Sequence, residues 1–566
     1  MTSRERHCDL VVVGSGAAGL SAAVTAAHHG LEVIVVEKDD VLGGATAWSG
    51  GWMWIPRNRF AREAGIDEDV ETVRTYLRHE LGERFDATKI DAFLEAAPRM
   101  VDFYQEHTAL RFHDGNAIPD IHGDTPGAGT GGRSVIAAPF DARELGASLH
   151  KIRRTMPETA FLGMPIQAGP DLMAFLSVTR SLRSAAYVAR RVTRHLYHLA
   201  RYRRAMHWVN GVALIGRLVK SADVLGVETW TASPAKRLII DDGRVRGVTV
   251  ATPDGAETTL HARRGVVLAA GGFPNDVERR RRYFPRTPTG REHLALPPAS
   301  ANGDGTRLGE SAGGHVSTGL ASPAAWCPVS AVPYPNGRTG HFPHIIDRGK
   351  PGIIGVLADG RRFVNEAHGY YDYVAALIEA VPRGQAVESW LIGDHRFLRR
   401  YGMGIVRPAP VPYRHWIRRG YLERGRTLDQ LATQCGIDPA GLVRTVEAYN
   451  RHARHGEDPE FSRGSTLYNR KQGDPAHAPN PCVAPIERGP FYAIKVVPGS
   501  FGTFAGLETD AHARVLDADD RPIPGLYAAG TDMASIMGGF YPAGGVNLGP
   551  AMTFGYIAAR HAADQE

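Results

Sequence analysis

The 566 residues contain four cysteines, Cys8, Cys327, Cys435 and Cys482. They are far apart, with no pair at metal-ligand spacing and no framework for a small disulfide-stapled scaffold. No metal is expected, and a reducing cytoplasm fits this usage. No uncharged apolar run of about 20 residues occurs, so no membrane span is expected. Met1 to His7 is polar and passes straight into an apolar strand pattern, without the apolar core of a signal peptide. Acidic residues are absent from Leu172 to Ala222, although the net charge of the whole chain is only +6. Arg180, Arg183, Arg190, Arg191, Arg194, Arg201, Arg203 and Arg204 fall in that stretch, interleaved with Leu176, Tyr187, Val188, Leu196, Tyr197 and Leu199. Helical arms are expected here, presenting either a solvated face or one that lies on anionic lipid at the inner face of the membrane. No nucleic-acid module accompanies the charge, and nucleic acid is not an expected partner.

What is present is glycine, 65 residues of it, spread through the chain rather than gathered in a low-complexity tract. The length predicts two domains, because single cores rarely grow beyond about 250 to 300 residues. Cys8 to Gly14 reads as a short buried strand and runs into Gly14-Ser-Gly16-Ala-Ala-Gly19, an alanine-rich helix from Leu20 to His29, and a second strand from Leu31 to Val36 that ends in Glu37. In this spacing Gly14 makes the turn, Gly16 lets backbone approach a pyrophosphate, and Gly19 lets helix and strand pack closely. The phosphates of a dinucleotide, FAD or NAD, would meet the helix N-terminus, and Glu37 would accept hydrogen bonds from a ribose diol. Further strands are expected at Val227 to Trp230, Val245 to Val250 and Val266 to Ala270.

Three later segments decide between the two dinucleotides. Gly43 to Gly51, Gly265 to Phe273 and Gly525 to Gly530 resemble, in order, the flavin-approaching loop, the returning strand and the final strand of FAD enzymes of the fumarate reductase/succinate dehydrogenase flavoprotein superfamily. The resemblance implies an α/β fold, a Rossmann-like FAD-binding domain with an inserted α+β catalytic or cap domain. The expected division is 1–290 for the first part of the FAD-binding domain, with a helical arm near 90–220, then 291–490 for the cap and 491–566 for the final part. The FAD-binding residues it implies are Gly14, Gly16, Ala18, Gly19, Glu37, Lys38, Gly44, Ala45, Thr46, Ser49, Gly50, Gly51, Ala270, Gly271, Gly530, Asp532, Asn547 and Leu548. Some members attach FAD through a histidine at the position of Gly44, so a non-covalent flavin is expected here.

Within the superfamily, Gly530 to Tyr556 resembles the terminal block of 3-ketosteroid 1-dehydrogenases, and Gly360 to Tyr373 resembles that family's segment carrying the base. By this likeness the Tyr541 hydroxyl and the Gly545 N–H hold the substrate carbonyl, and Tyr370 takes a proton from the neighbouring carbon while a hydride passes to flavin N5. Two fixed donors aimed at a carbonyl oxygen lower the barrier to removing that proton. A tyrosine with an ordinary pKa of about 10 is a poor base at neutral pH, so a nearby group must favour its phenolate. Fumarate-type reductases carry an arginine where Tyr370 stands, a second near Val546 and Asn547, and a histidine in place of Phe501, so a dicarboxylate would lack its clamp here. The steroid family also places an assisting tyrosine before a proline in the loop resembling Pro119 to Pro126. Ala117 and Ile118 stand there instead, with His113 and His122 as candidate substitutes. The expected substrate is a 3-ketosteroid or a smaller cyclic ketone, desaturated beside its carbonyl, with a quinone or other acceptor taking the electrons. An ene-reductase running the same chemistry backwards is the alternative activity.

Overall fold

A computed structural model describes residues 4–565, so Met1 to Ser3 of the N-terminal reading lie outside the described residues. Cys8 and the run Leu10 to Val13 are buried at the end of the strand Arg4–Val13, which pairs in parallel with Val33–Val36 on one side and with Glu257–Leu268 on the other. Glu228–Trp230 and Pro522–Ala528 extend this parallel core at either edge. Its central strands are apolar on both faces because helices cover both, as a parallel sheet requires. The helix Ala17–His28 packs on it, and the terminal helix Leu548–Ala562 packs on that helix.

The expected helix and strands fall within a few residues of these bounds, with one difference. The returning strand starts nine residues earlier than Val266 because its first half is held on both sides, in parallel by Arg4–Cys8 and antiparallel by Gly247–Ala251, before its apolar half continues along Leu10–Val13. A period of two in Thr258, Leu260 and Ala262 is the signature of that half-buried hairpin.

The second sheet is largely antiparallel, in the order Thr339–Pro343, Ala324–Pro333, Phe491–Thr503, Ser389–Asp394, Ile353–Val356. Phe491–Thr503 is its central strand, so the return to the first sheet comes after Thr503 rather than at 491. Its apolar residues are held by neighbours on both sides, and only the strands Arg514–Leu516 and Pro522–Ala528 that follow belong to the nucleotide sheet.

The acid-free stretch forms the helices Pro170–Leu176 and Leu182–Tyr202. Ser181 caps the second by accepting from the Ser184 N–H at 3.2 Å. On its inner face Arg191 pairs with Asp171 at 2.9 Å and His195 Nε2 meets the Leu162 carbonyl at 2.9 Å. On its outer face Leu182 is 92% exposed, Leu196 51% and Tyr197 60%. Among the described residues no helix is long and apolar enough to cross a membrane, and all four cysteines are free.

Candidate active site

A cavity of about 1410 Å³ runs from the first glycine loop, beneath both sheets, to the arm. Its inner end is walled by backbone. Gly14 adopts φ +108°, and a Cβ there would lie 2.2 Å from the Ala269 carbonyl oxygen. A Cβ at Gly19 would lie 2.0 Å from the Gly14 oxygen, so these two glycines serve the packing of helix on strand. Gly16, Gly50 and Gly544 are different. None has positive φ, and a Cβ on any of them would meet no protein atom closer than 3.7 Å, yet all three line the cavity. No close protein contact requires glycine at these positions; a ligand pressed against the backbone would. Two helix N-termini also open here, those of Ala17–His28 and Leu548–Ala562, with neither a side-chain cap nor an acidic residue in the first turn. Unpartnered N–H groups and the helix dipole suit a pyrophosphate.

Glu37 lines the same end and is almost fully buried. Its Oε2 accepts from Ser15 Oγ at 2.5 Å and Ser15 N at 3.1 Å, and Oε1 accepts from Asp39 N at 2.9 Å. Burial raises its pKa against those three donors. Lys38 pairs with Asp304 at 2.7 Å. Thr46 Oγ1 accepts from the Ala17 N–H at 3.0 Å, and this bond ties the second glycine loop to the first. Ala18, Gly44, Ala45, Ser49, Gly51, Ala270, Gly271, Gly530, Asn547 and Leu548 complete the wall. Of the residues expected at the flavin, Gly19 and Asp532 stand behind the wall instead. The Asp532 carboxylate is fully buried, accepts from the amides of Ala270 and Gly272, and so fixes the Ala270–Gly272 turn; burial lifts its pKa to about 6.

The far end of the cavity is walled by side chains. Tyr370 opens the helix Tyr370–Ala380, and its ring lies edge-on to Tyr541 at 5.0 Å and to Phe501 at 5.2 Å. Tyr371 and Tyr373 face away: their hydroxyls are taken by the Gly539 carbonyl at 2.8 Å and by Ser389 Oγ at 3.0 Å. The Tyr541 hydroxyl is approached by the Tyr370 hydroxyl and the Gly545 N–H. Burial pushes both tyrosines above the ordinary phenol range, Tyr370 far above it; the neighbouring phenols raise Tyr370 further, whereas hydrogen bonds from Tyr370 and the Gly545 N–H work against burial at Tyr541. The largest influences on Tyr370 are burial and its phenol and thiol neighbours, none of them a cation that would favour its phenolate.

The tyrosines are rigidly carried. Gly545 has φ +100°, and a Cβ there would lie 2.8 Å from the backbone at Trp52 and Trp54, so only glycine can present this N–H. Its carbonyl accepts from Trp54 N at 3.1 Å. The Pro542 carbonyl accepts from Tyr76 Oη at 2.6 Å and Ile121 N at 3.0 Å. Below the Tyr370 helix, Glu366 is wholly buried between Arg362 and Arg463, at 2.7 and 3.1 Å, and Arg362 also bonds Asp458 at 2.7 Å. Burial would raise the Glu366 carboxyl, but the two guanidinium groups outweigh it and hold the pKa below the usual range.

The loop from Pro119 does face the cavity, through Ala117, Ile118 and Pro119. His122 does not line it. Its ring bridges Glu80 at 2.6 Å and Asp372 at 3.2 Å; burial alone would lower its pKa, but the two carboxylates raise it to about 10. His113 lines the cavity on an exposed strand. Tyr468, from the helix Leu467–Gln472, also lines it and acts on both Tyr370 and Tyr541. Sequence reasoning missed Tyr468 because it sits in no glycine motif and about a hundred residues from its neighbours, with only its apolar burial to mark it.

The FAD binding domain family matches residues 9–548. The chain is 40% identical over 557 residues to the 4-oxocyclohex-2-ene-1-carboxylate 5-dehydrogenase of Sinomonas cyclohexanicum, covering 98% of this chain and 94% of that protein. It is 36% identical over 571 residues to the 3-oxosteroid 1-dehydrogenase of Mycobacterium tuberculosis, with 98% of each covered. The crystal structure of 3-ketosteroid Δ1-dehydrogenase from Sterolibacterium denitrificans, in complex with 1,4-androstadiene-3,17-dione, superposes with a TM-score of 0.91 at 35% identity over 99% of each chain. A cradle shaped for a dinucleotide, opening onto paired tyrosines, agrees with these likenesses: the chain belongs to the FAD-binding dehydrogenase family of the 3-oxosteroid 1-dehydrogenases and is an FAD-dependent oxidoreductase acting on CH–CH groups.

Proposed function

We propose that the protein desaturates the carbon–carbon bond next to the carbonyl of a cyclic ketone. The observation that carries this reading is the meeting of Tyr370, Tyr541 and the Gly545 N–H at the wall of a cavity continuous with the flavin cradle. FAD, when bound without a covalent link, supplies a two-electron acceptor for the departing hydride. The residues do the rest. On this reading the Tyr541 hydroxyl and the Gly545 N–H would both turn to the substrate carbonyl oxygen and stabilise the negative charge that grows on it as the adjacent C–H is ionised. Tyr370 receives that proton. Because burial keeps its phenol protonated, the reactive form is a minor phenolate. The apolar wall, with Phe501 against Tyr370, excludes water from the pair.

A 3-ketosteroid attacked at C1–C2 is the first substrate to try, and the full-length likeness to 3-oxosteroid 1-dehydrogenases supports it. A smaller cyclic ketone is the second reading. It is favoured by Ala117 and Ile118 in place of a loop tyrosine, and by the likeness to an enzyme named for a cyclohexene carboxylate. The arm supports a further element: exposed Leu182, Leu196 and Tyr197 among arginines would rest on anionic lipid, next to a cavity that Leu172, Phe175 and Val188 also line. A quinone dissolved in that lipid would then be the electron acceptor.

The test is anaerobic mixing of the flavin-loaded protein with a 3-keto-4-ene steroid, then with a simple cyclohexanone, following bleaching of the oxidised flavin and the product mass. Bleaching with loss of two hydrogens is expected from one of them. In Tyr370→Phe the bleaching should slow by about 10²- to 10⁴-fold; an unchanged rate removes Tyr370 from the reaction.

A further inference from the structure

Four cations line the cavity, and three are accounted for. Lys38 is paired with Asp304. Lys350 donates to the carbonyls of Gln472 and Gly473 at 2.7 and 2.6 Å and has Asp474 and Asp347 acting on it. Lys471 is exposed to solvent. Arg407 is the exception.

Arg407 sits in the segment that joins the helices His395–Tyr401 and Arg414–Arg418, and Gly404, Val406 and Pro408 beside it also line the cavity. The segment is pinned. Met403 and Val406 exchange backbone hydrogen bonds at 2.9 and 3.0 Å, Gly404 N donates to Asp347 Oδ2 at 3.0 Å, and Ala409 N donates to the Arg399 carbonyl at 2.9 Å. Only Nη2 of the guanidinium finds protein acceptors, the carbonyls of Glu158 and Ala160 at 2.9 and 3.0 Å. Nε and Nη1 have none among the described residues. The Glu158 carboxylate is turned away to Arg338 at 2.6 Å. The titratable groups that act on Arg407 are Tyr421 and Tyr334, both neutral phenols, and burial pulls its pKa down. A half-buried guanidinium, held in place, with no carboxylate of the described residues against it and open to a cavity, is suited to bind an anionic group.

We propose that Arg407 receives a carboxylate carried by the substrate, so that the ketone desaturated here is a keto acid whose carboxylate lies away from the carbonyl. This rests on the reading that Tyr541 and Gly545 hold that carbonyl. Two keto acids share the required chemistry: a single-ring oxocyclohexane carboxylate and a 3-ketosteroid with a carboxylate at its far end. The planar fork of the arginine suits a carboxylate through two parallel N–H donors, which a lysine at this position would not supply.

The experiment titrates the flavin-loaded protein with matched pairs, one member charged and the other neutral, and reads both the perturbation of the flavin spectrum on binding and the rate of anaerobic bleaching. The small pair is 4-hydroxybenzoate and 4-hydroxybenzyl alcohol for binding, with 4-oxocyclohexanecarboxylate and its methyl ester for bleaching. The large pair is a 3-oxo-4-ene steroid 17-carboxylate and its methyl ester for both. The carboxylate member of one pair should bind about 10- to 100-fold more tightly than its neutral partner, the gain expected of hydrogen bonds to a charged group. Which pair shows the preference identifies the size of the acid. In Arg407→Gln the preference should collapse while the neutral member binds as before, and Arg407→Lys should keep part of it.

A carboxylate preference that survives in Arg407→Gln overturns the proposal, as does its absence from both pairs in the unaltered protein. Should the glutamine variant not fold, the lysine variant and the unaltered protein still decide the matter, because equal binding of charged and neutral members in both is also a refutation. The two readings fail differently. If carboxylates bind in an Arg407-dependent way and no ketone bleaches the flavin, desaturation is wrong and Arg407 stands. If neutral ketones bleach it and no acid is preferred, desaturation stands and Arg407 does not.

Discussion

The two ends of the cavity are built on different principles. The nucleotide end is a backbone surface, in which Gly16, Gly50 and Gly544 leave room and two helix N-termini point inward. The tyrosine end is a side-chain surface, whose members come from helices and loops far apart in the chain and are held by buried ion pairs behind them. A ligand shared by many proteins can be met by backbone, which any sequence possesses. A ligand that must be told from its relatives needs side chains, and those need support.

That contrast can be broken in order of expected effect. Glu366→Gln removes the charge between two buried arginines, and unfolding in urea should show a loss of about 3 to 5 kcal/mol. Tyr541→Phe should keep full flavin content and lower kcat by about 10²- to 10³-fold, as for loss of one donor to a developing oxyanion, measured on whichever ketone bleaches the flavin. Gly16→Ala should leave the thermal midpoint of the flavin-free protein unchanged and weaken FAD by about tenfold or more, whereas Gly19→Ala should lower that midpoint, because its Cβ meets the Gly14 oxygen. Equal behaviour of the two glycine variants would remove the distinction between glycines kept for the ligand and glycines kept for the fold.

The smallest effect concerns pH. His122 has its pKa raised to about 10 by Glu80 and Asp372, so its contribution to stability is complete below the ordinary histidine value and is lost as pH rises through about 10. The gap in thermal midpoint between the unaltered protein and His122→Gln should be widest near pH 6 and close towards pH 10. Turnover should move the other way. Tyr370 titrates above the ordinary phenol range, so kcat/KM should climb with pH across the whole accessible alkaline side.

The sequence made the nucleotide end legible because the demand for close approach falls on one residue type at fixed spacing. Gly14, Gly16 and Gly19 could be assigned separate tasks before any coordinates; Gly14 and Gly19 lie against backbone, and Gly16 lines the cavity. Tyr370, Tyr541 and Gly545 could be named only through resemblance, since a tyrosine in an apolar run looks the same whether it packs or reacts. Tyr468 and Arg407 were invisible: each reaches the cavity from a segment with no motif, and only tertiary contacts separate them from other buried tyrosines and surface arginines. Asp532, one of the residues implied by resemblance, does not line the cavity, because its short side chain is used up on the amides of Ala270 and Gly272. A long apolar strand such as Phe491–Thr503 likewise carries no mark of which sheet it will join.

The cradle and the tyrosine end are one continuous void. With the cofactor in the glycine-walled part, the space left in that void would serve the donor of electrons and their recipient alike, so that initial-rate kinetics are expected to be of the substituted-enzyme kind, with parallel double-reciprocal plots and inhibition by an excess of either partner.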